Sequence, residues 1–472
     1  WTLTYLLYAN ATMWTHLSAG NTFAPGRLIE GVSAQDWLQD HFIQAMRHTA
    51  RRLKDCAAIV GFGTLNEPHY GFIGLQSLGD HHRIQAPSGA CPAAFDAIAS
   101  ASGFTRRIKR FTLVGMITTW GKETLNPSGE SLFRDGFRCP WLEAGVWTID
   151  SGVPVVKKDD WFYRTSGGGA PANGSAATRT YDFCEDFLKP FQKRFIDELS
   201  RKHEQFLFFV EGVPMADRSS WTAEDRVRED GTPLQIVEAF HWYDGLTLLF
   251  KKWRPWVHAD AETSALSLGR GRVRRSIKAQ IARFSGYARG DGIPAFLGEF
   301  GVQFDLDGGR SYRSGDYAAQ EDALGAYYDA IDAALVSSTI WNYSATNTHQ
   351  AGDGWNTEDL SIFSATTGEA RALRGFSRPY AMAVAGQPVR MDFNRKRRVF
   401  TFEWEAASGT TEIYVPSHWY PEGWRAEFES RSPSGQAVLE EKGEDQRLFV
   451  TVEGVGAGGD ESLLARVVIR PA

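Results

Sequence analysis

Four cysteines in 472 residues, Cys56, Cys91, Cys139 and Cys184, lie far apart without C-x-x-C spacing, which argues against a disulfide scaffold or a zinc ribbon. No run reaches the roughly 18 unbroken apolar residues that a spanning helix needs. The apolar opening from Trp1 to Leu17 is broken by Asn10, Thr12 and His16. The expectation is a soluble chain, intracellular or vacuolar, or one peripheral to a membrane. Charge of one sign is also lacking: 51 Lys and Arg face 57 Asp and Glu, so the whole chain makes no nucleic-acid footprint. The exception, Arg270-Gly271-Arg272-Val273-Arg274-Arg275, opens a helical pattern. It reads first as a solvated helix start and second as a contact for anionic lipid head groups. No phosphate-binding glycine loop is present, and Asp80-His81-His82 lacks metal-ligand spacing, so neither metal nor cofactor is expected. Trp1 begins in mid-pattern, without Met or the charged lead of a signal peptide, which suggests an internal start. Asn10-Ala11-Thr12, Asn173-Gly174-Ser175 and Asn342-Tyr343-Ser344 match the glycosylation triplet, but the last reads as a buried strand end, so they say little about secretion.

Aromatic residues are plentiful, and their number suits sugar-stacking surfaces as well as core packing. Helical spacing over Asp40 to Cys56 runs into the apolar run Ala57 to Gly63. The same step recurs as Glu185 to Lys202 before Phe206 to Glu211, followed by the strand Leu234 to Tyr243. It returns as Arg274 to Tyr287 before Ala295 to Glu299, and as Asp316 to Val336 before Thr339 to Tyr343. Strands alternating with helices, each strand ending in polar residues, predict a (β/α)8 TIM barrel. Only five steps are visible, and residues 1 to 56 offer a helix and loops, so the first three strands are missing from the pattern. The expected division is a catalytic barrel over 1–377 and an antiparallel β-sandwich over 378–472. Between about 76 and 183, Gly/Ser/Pro-rich stretches such as Ser166 to Pro171 read as a long mobile insertion on the catalytic face. After Arg378-Pro379-Tyr380 the period changes to the alternation of a sandwich.

Two motifs carry the chemistry. Thr64-Leu65-Asn66-Glu67-Pro68 and Gly298-Glu299-Phe300-Gly301 each put a carboxylate at the end of a strand, where barrel enzymes place their reacting groups. Facing each other across a glycosidic bond, one carboxylate attacks the anomeric carbon while the other protonates the departing oxygen. Asn66 suits a sugar 2-hydroxyl, and His241 and Tyr243 alternate with Trp242 and share a face. A tyrosine donor would hold Glu299 ionised and aligned, and Trp341 offers a flat face to a pyranose. Glu211 reads equally as a charge beside the site or as an ion-pair residue.

The order Asn-Glu-Pro, His-x-Tyr, Gly-Glu-Phe, Ile-Trp-Asn-Tyr over residues 57 to 345 resembles the clan A retaining glycosidases, family 5 among them. The resemblance implies Glu67 as general acid/base, Glu299 as nucleophile, and Asn66, His241, Tyr243 and Trp341 as substrate-binding groups. Phe209-Val210-Glu211-Gly212, Trp341 to Asn347, and Gly352-Asp353-Gly354-Trp355-Asn356 through Ser361 are similar to the endoglycoceramidase-related branch, as is the sandwich. Fungal members of that branch imply a β-glucosidase of membrane glycolipids, steryl glucoside or glucosylceramide, with contact at the membrane periphery. Sterol and ceramide are not separable from the sequence, nor is the oligomeric state. Two readings compete: an endo-acting β-glycanase on polysaccharide, and an inactive carbohydrate- or lipid-binding homologue.

Overall fold

The computed structural model describes residues 6–80, 88–114, 117–163, 180–354, 358–430, 436–443, 445–453 and 463–472. Trp1, His81 and His82, the Ser166 to Pro171 run, Asn173 to Ser175, and Trp355 and Asn356 lie outside them. The chain forms two compact units, Trp1–Ala239 with Asp291–Pro294, and Phe240–Gly290 with Ala295–Ala472.

In the first unit the helix Ala34–Leu53 starts six residues before the expected Asp40. Ser33 explains the difference: its hydroxyl accepts from the Asp36 amide at 3.1 Å, a side-chain cap that periodicity does not register. Phe42 packs this helix on Phe191 and Phe195 of the helix Lys189–Ser200. The first parallel strand, Gly61–Gly63, pairs with the second, Leu207–Val210, through Gly61↔Leu207 and Phe62↔Phe208. The approach is close enough that a Cβ on Gly61 would meet the Leu207 carbonyl oxygen at 2.0 Å, so only glycine fits. The run Ala57 to Val60, expected in a buried strand, stays outside it, and Val60 is 62% exposed. The first strand is a sheet edge with one neighbour, so little is there to cover that run. The third strand, Ile236–His241, joins the second in parallel register at Ile236↔Phe208.

The insertion is a folded body and not the expected loop. Its described residues include an antiparallel sheet of Ser88–Cys91, Arg106–Val114 and Ile117–Leu125, the helix Ala94–Ala101 and the hairpin Trp147–Asp150/Val153–Val156. Trp141, Trp147 and Phe162 are buried in one core with Phe23, Phe72 and Ile98. These aromatics come one or two at a time from short elements, a pattern with no period to detect.

In the second unit the third strand's end is followed in parallel order by the fourth, Ala295–Phe300, and the fifth, Ser337–Ile340. The helix Arg270–Gly290 buries Val273, Ile277, Ile281 and Phe284 on its inner stripe, as the spacing predicts. The fifth strand stops at Ile340, so Asn342-Tyr343-Ser344 is not a buried strand end, and Tyr343 is 66% exposed. Among the described residues the parallel sheet thus has five strands, against the eight of a closed (β/α)8 barrel. The C-terminal part is an antiparallel sandwich of two four-stranded sheets closed on Phe402, Trp404, Ile413, Val450 and Val467.

Arg378, which opens the period change, is buried and forms ion pairs with Asp329 at 3.2 Å and Asp332 at 2.8 Å. Burial pushes the Asp332 carboxyl up to about 7 although Arg378 pulls it down, with Asp329 and Asp392 adding like charge. The short contact to Arg378 favours the ionised form, but near-complete burial outweighs it. A raised folded value means that the protonated carboxyl is the stabilising one. That contribution is whole below the unfolded value near 4 and is lost as pH rises to about 7, on the order of 4 kcal/mol at most. Asp332→Asn should therefore show a flatter melting temperature between pH 4.5 and 8 than the parent, measured by differential scanning fluorimetry; parallel curves would refute the assignment.

Candidate active site

The first unit positions Asn66, Glu67 and Glu211. Thr64, fully buried, extends the first strand by donating its amide to the Phe209 carbonyl at 2.9 Å. Gln192 on the helix Lys189–Ser200 then ties two strand ends together, donating to Thr64 Oγ1 at 3.2 Å and to the Glu211 carbonyl at 2.8 Å. Glu67 sits in the left-handed region with φ of +44°, a conformation costing about 1–3 kcal/mol in a non-glycine residue. The Glu211 carboxylate compensates by accepting the Glu67 amide at 2.9 Å. Glu211 thus fixes the backbone from which the Glu67 carboxylate projects. Asn66, one residue earlier, is exposed.

The second unit positions His241, Tyr243, Glu299 and Trp341. Alternation sends Trp242 one way and His241 and Tyr243 the other. Trp242 is fully buried against Tyr327, and its indole donates to Gln280 Oε1 at 3.2 Å. Gln280 Nε2 lies 2.5 Å from Nε2 of buried His258, whose Nδ1 lies 3.2 Å from Asp244. With the carboxylate at Nδ1 and the amide at Nε2, the ring is held between two hydrogen-bonding partners. This buried polar chain anchors the strand end from behind. On its other face Tyr243 Oη donates to Glu299 Oε2 at 3.0 Å, and His241 Nδ1 lies 3.6 Å from the same oxygen. The register of the fourth strand slips between Leu297 and Phe300, a bulge that contains Gly298 and Glu299, and bulges re-aim side chains. The Trp341 amide donates to the Phe300 carbonyl at 2.8 Å. A Cβ on Gly301 would meet the Trp341 carbonyl at 2.3 Å, so glycine is required for that approach.

Asn342 to Ser361, singled out by resemblance alone, has a structural reason. Asp353 accepts from Asn342 at 3.1 Å, Asn347 at 2.8 Å and the Leu360 amide at 2.9 Å. Asp359 accepts from Asn347 at 2.8 Å and from both terminal nitrogens of Arg371, at 2.6 and 3.0 Å. Burial acts to raise the Asp359 carboxyl, but Arg371, Tyr312 and Asn347 outweigh it and hold the group below its ordinary value. The Arg371 guanidinium also lies 4.1 Å over Phe304. Gln192, Gln280, His258 and Arg371 escape sequence reading because polar residues in helices, loops and a short hairpin read as surface; only their burial gives them away.

Residues 378–459 match the glycoside hydrolase family 5 C-terminal domain. Over 467 residues the chain is 29% identical to a glucosylceramidase of Rhizopus delemar, a match spanning 89% of this chain and 65% of that protein. The likeness is to glycoside hydrolase family 5. The chain is also 27% identical over 409 residues to an ergosteryl-β-glucosidase of Saccharomyces cerevisiae, across 77% of the chain and 51% of that protein. Its fold superimposes on the crystal structure of Cryptococcus neoformans sterylglucosidase 1 with a TM-score of 0.84, at 24% identity, across 98% of this chain and 71% of that one. The chain spans between 51% and 65% of the length of the two curated relatives.

Proposed function

We propose that this chain is a family 5 retaining β-glucosidase that removes glucose from membrane glycolipids, steryl β-glucoside or glucosylceramide. In the first step the Glu299 carboxylate attacks the anomeric carbon while Glu67 protonates the glycosidic oxygen; in the second, Glu67 takes a proton from the water that releases glucose. Retention needs the two carboxyl groups about 5 Å apart. Asn66 binds the 2-hydroxyl, Trp341 stacks on the sugar, and His241 and Tyr243 hold Glu299. Catalysis belongs to residues 1–377, with 378–472 as the sandwich, and such a substrate brings the protein to the membrane periphery. The observation that carries the reading is the hydroxyl of Tyr243 on Glu299 at 3.0 Å, which stabilises a carboxylate poised to attack. The names of the curated relatives support the substrate class.

The test is glucose release from ergosteryl glucoside, glucosylceramide and a soluble β-glucan, assayed side by side. Release from either lipid supports the reading and names the aglycone; cleavage of the glucan alone would favour the endo-glycanase, and no cleavage a binding homologue. Glu211 acts by positioning. Glu211→Ala should lower kcat about 10²-fold, the scale of a misplaced catalytic group, with a smaller change in KM. Glu211→Gln keeps an acceptor for the Glu67 amide and should restore most of the rate; equal losses in both variants would refute the positioning role.

A further inference from the structure

One hairpin of the second unit turns the usual pattern inside out. Val257–Ala259 pairs antiparallel with Leu266–Leu268 in the register Val257↔Leu268, His258↔Ser267, Ala259↔Leu266. Directly opposed residues share a face, so Val257, Ala259, Leu266 and Leu268 lie on one side and His258 and Ser267 on the other. The polar side faces inward, with His258 fully buried on Asp244 and Gln280. The apolar side faces out: Leu266 and Leu268 are 54% and 59% exposed. At the hairpin's base Trp256, 57% exposed, accepts the Gly269 amide at 2.8 Å. Two exposed leucines on one face, with exposed Trp256 at the hairpin's base, differ from the scattered single ones that any surface carries.

Charge around the patch points to its occupant. Arg254, Arg270, Arg272 and Arg275 are all exposed, and Arg272 and Arg275 form no ion pair among the described residues. Arg270 lies 5.9 Å from the Trp256 ring. The acidic residues of the turn do not offset them, because Arg283 holds Asp260 at 2.9 Å and Glu262 at 2.6 Å. Tryptophan and leucine ringed by arginines, of which Arg270 alone is paired among the described residues, to Asp322 at 3.7 Å, suit the boundary between acyl chains and anionic head groups, where each kind of side chain finds its own medium.

We infer that this hairpin is a membrane-docking face: Trp256, Leu266 and Leu268 enter the head-group layer of an anionic membrane while Arg254, Arg270, Arg272 and Arg275 meet lipid phosphates. The inference deepens the glycolipid reading, on which the choice of a lipid surface partly rests. It gives the Arg270 to Arg275 cluster a role beyond that of a solvated helix start.

The test is flotation of the whole protein with phosphatidylcholine vesicles, with and without phosphatidylserine. Binding should require phosphatidylserine and weaken with salt. The double variants Leu266→Asp/Leu268→Asp and Arg272→Glu/Arg275→Glu should each bind about tenfold more weakly or worse, while hydrolysis of a soluble aryl β-glucoside and the melting temperature stay as in the parent. Failure of the parent to float, or equal flotation of all three, overturns the docking face. So does a self-associating parent that the leucine variant turns monomeric, since a second copy would then cover the patch. An inactive parent that still floats with these dependences would overturn the glycolipid reading and leave the docking face standing.

Discussion

Glu299→Gln should lose about 10⁴-fold or more in turnover on every β-glucoside, lipid or aryl, because an amide cannot form the glycosyl-enzyme ester. Tyr243 can still donate to the amide oxygen in place of Glu299 Oε2, so the strand end keeps its hydrogen bond and the variant should fold with an unchanged melting temperature. Azide offers a sharper check with Glu299→Gly. A small anion in the emptied space would attack from the nucleophile's side and give an α-glucosyl azide, the inverted product. An active Glu299→Gln variant, or a β-configured azide product, would remove Glu299 from the nucleophile's role.

Glu67→Gln should separate substrates by their leaving group. A steryl or ceramide alkoxide departs only if protonated, so loss of the acid should cost about 10² to 10⁴-fold on the lipids. An acidic phenol leaves unaided, so the first step on an activated aryl glucoside should fall far less, and the slow second step should appear as a burst. The same loss on both substrates would mean that Glu67 acts through something other than proton transfer. Its strained backbone makes the position demanding, since φ of +44° is held in part by Glu211 and the departure of that carboxylate would free the loop to relax.

What was legible in the sequence follows from what repeats. The parallel strands announce themselves as apolar runs, and His241 and Tyr243 share a face because alternation requires it. The helix Arg270–Gly290 buries the four residues whose spacing picks them out. The sandwich strands alternate plainly. Illegible were features made by contact between distant segments. Gln192 and Gln280 have the chemistry of surface residues and are fully buried. The Ala57 to Val60 run has the chemistry of a core strand and is largely exposed. The hairpin before Arg270 inverts the pattern, so its leucines read as interior until their accessibility is measured. The insertion lacks both periods, and its fold comes from tryptophans that meet only in three dimensions.

That insertion also limits how the protein can be trimmed. The Trp161 indole donates to the Phe23 carbonyl at 3.2 Å, the Trp141 indole to Thr12 Oγ1 at 3.3 Å, and the Phe72 amide to Thr15 Oγ1 at 2.9 Å. Phe72 follows Glu67 by five residues and shares its core with Trp141 and Phe162. An engineer who excised the excursion as a dispensable loop would pull away the wall against which the segment after Glu67 is pinned. A smaller version would have to supply a replacement wall.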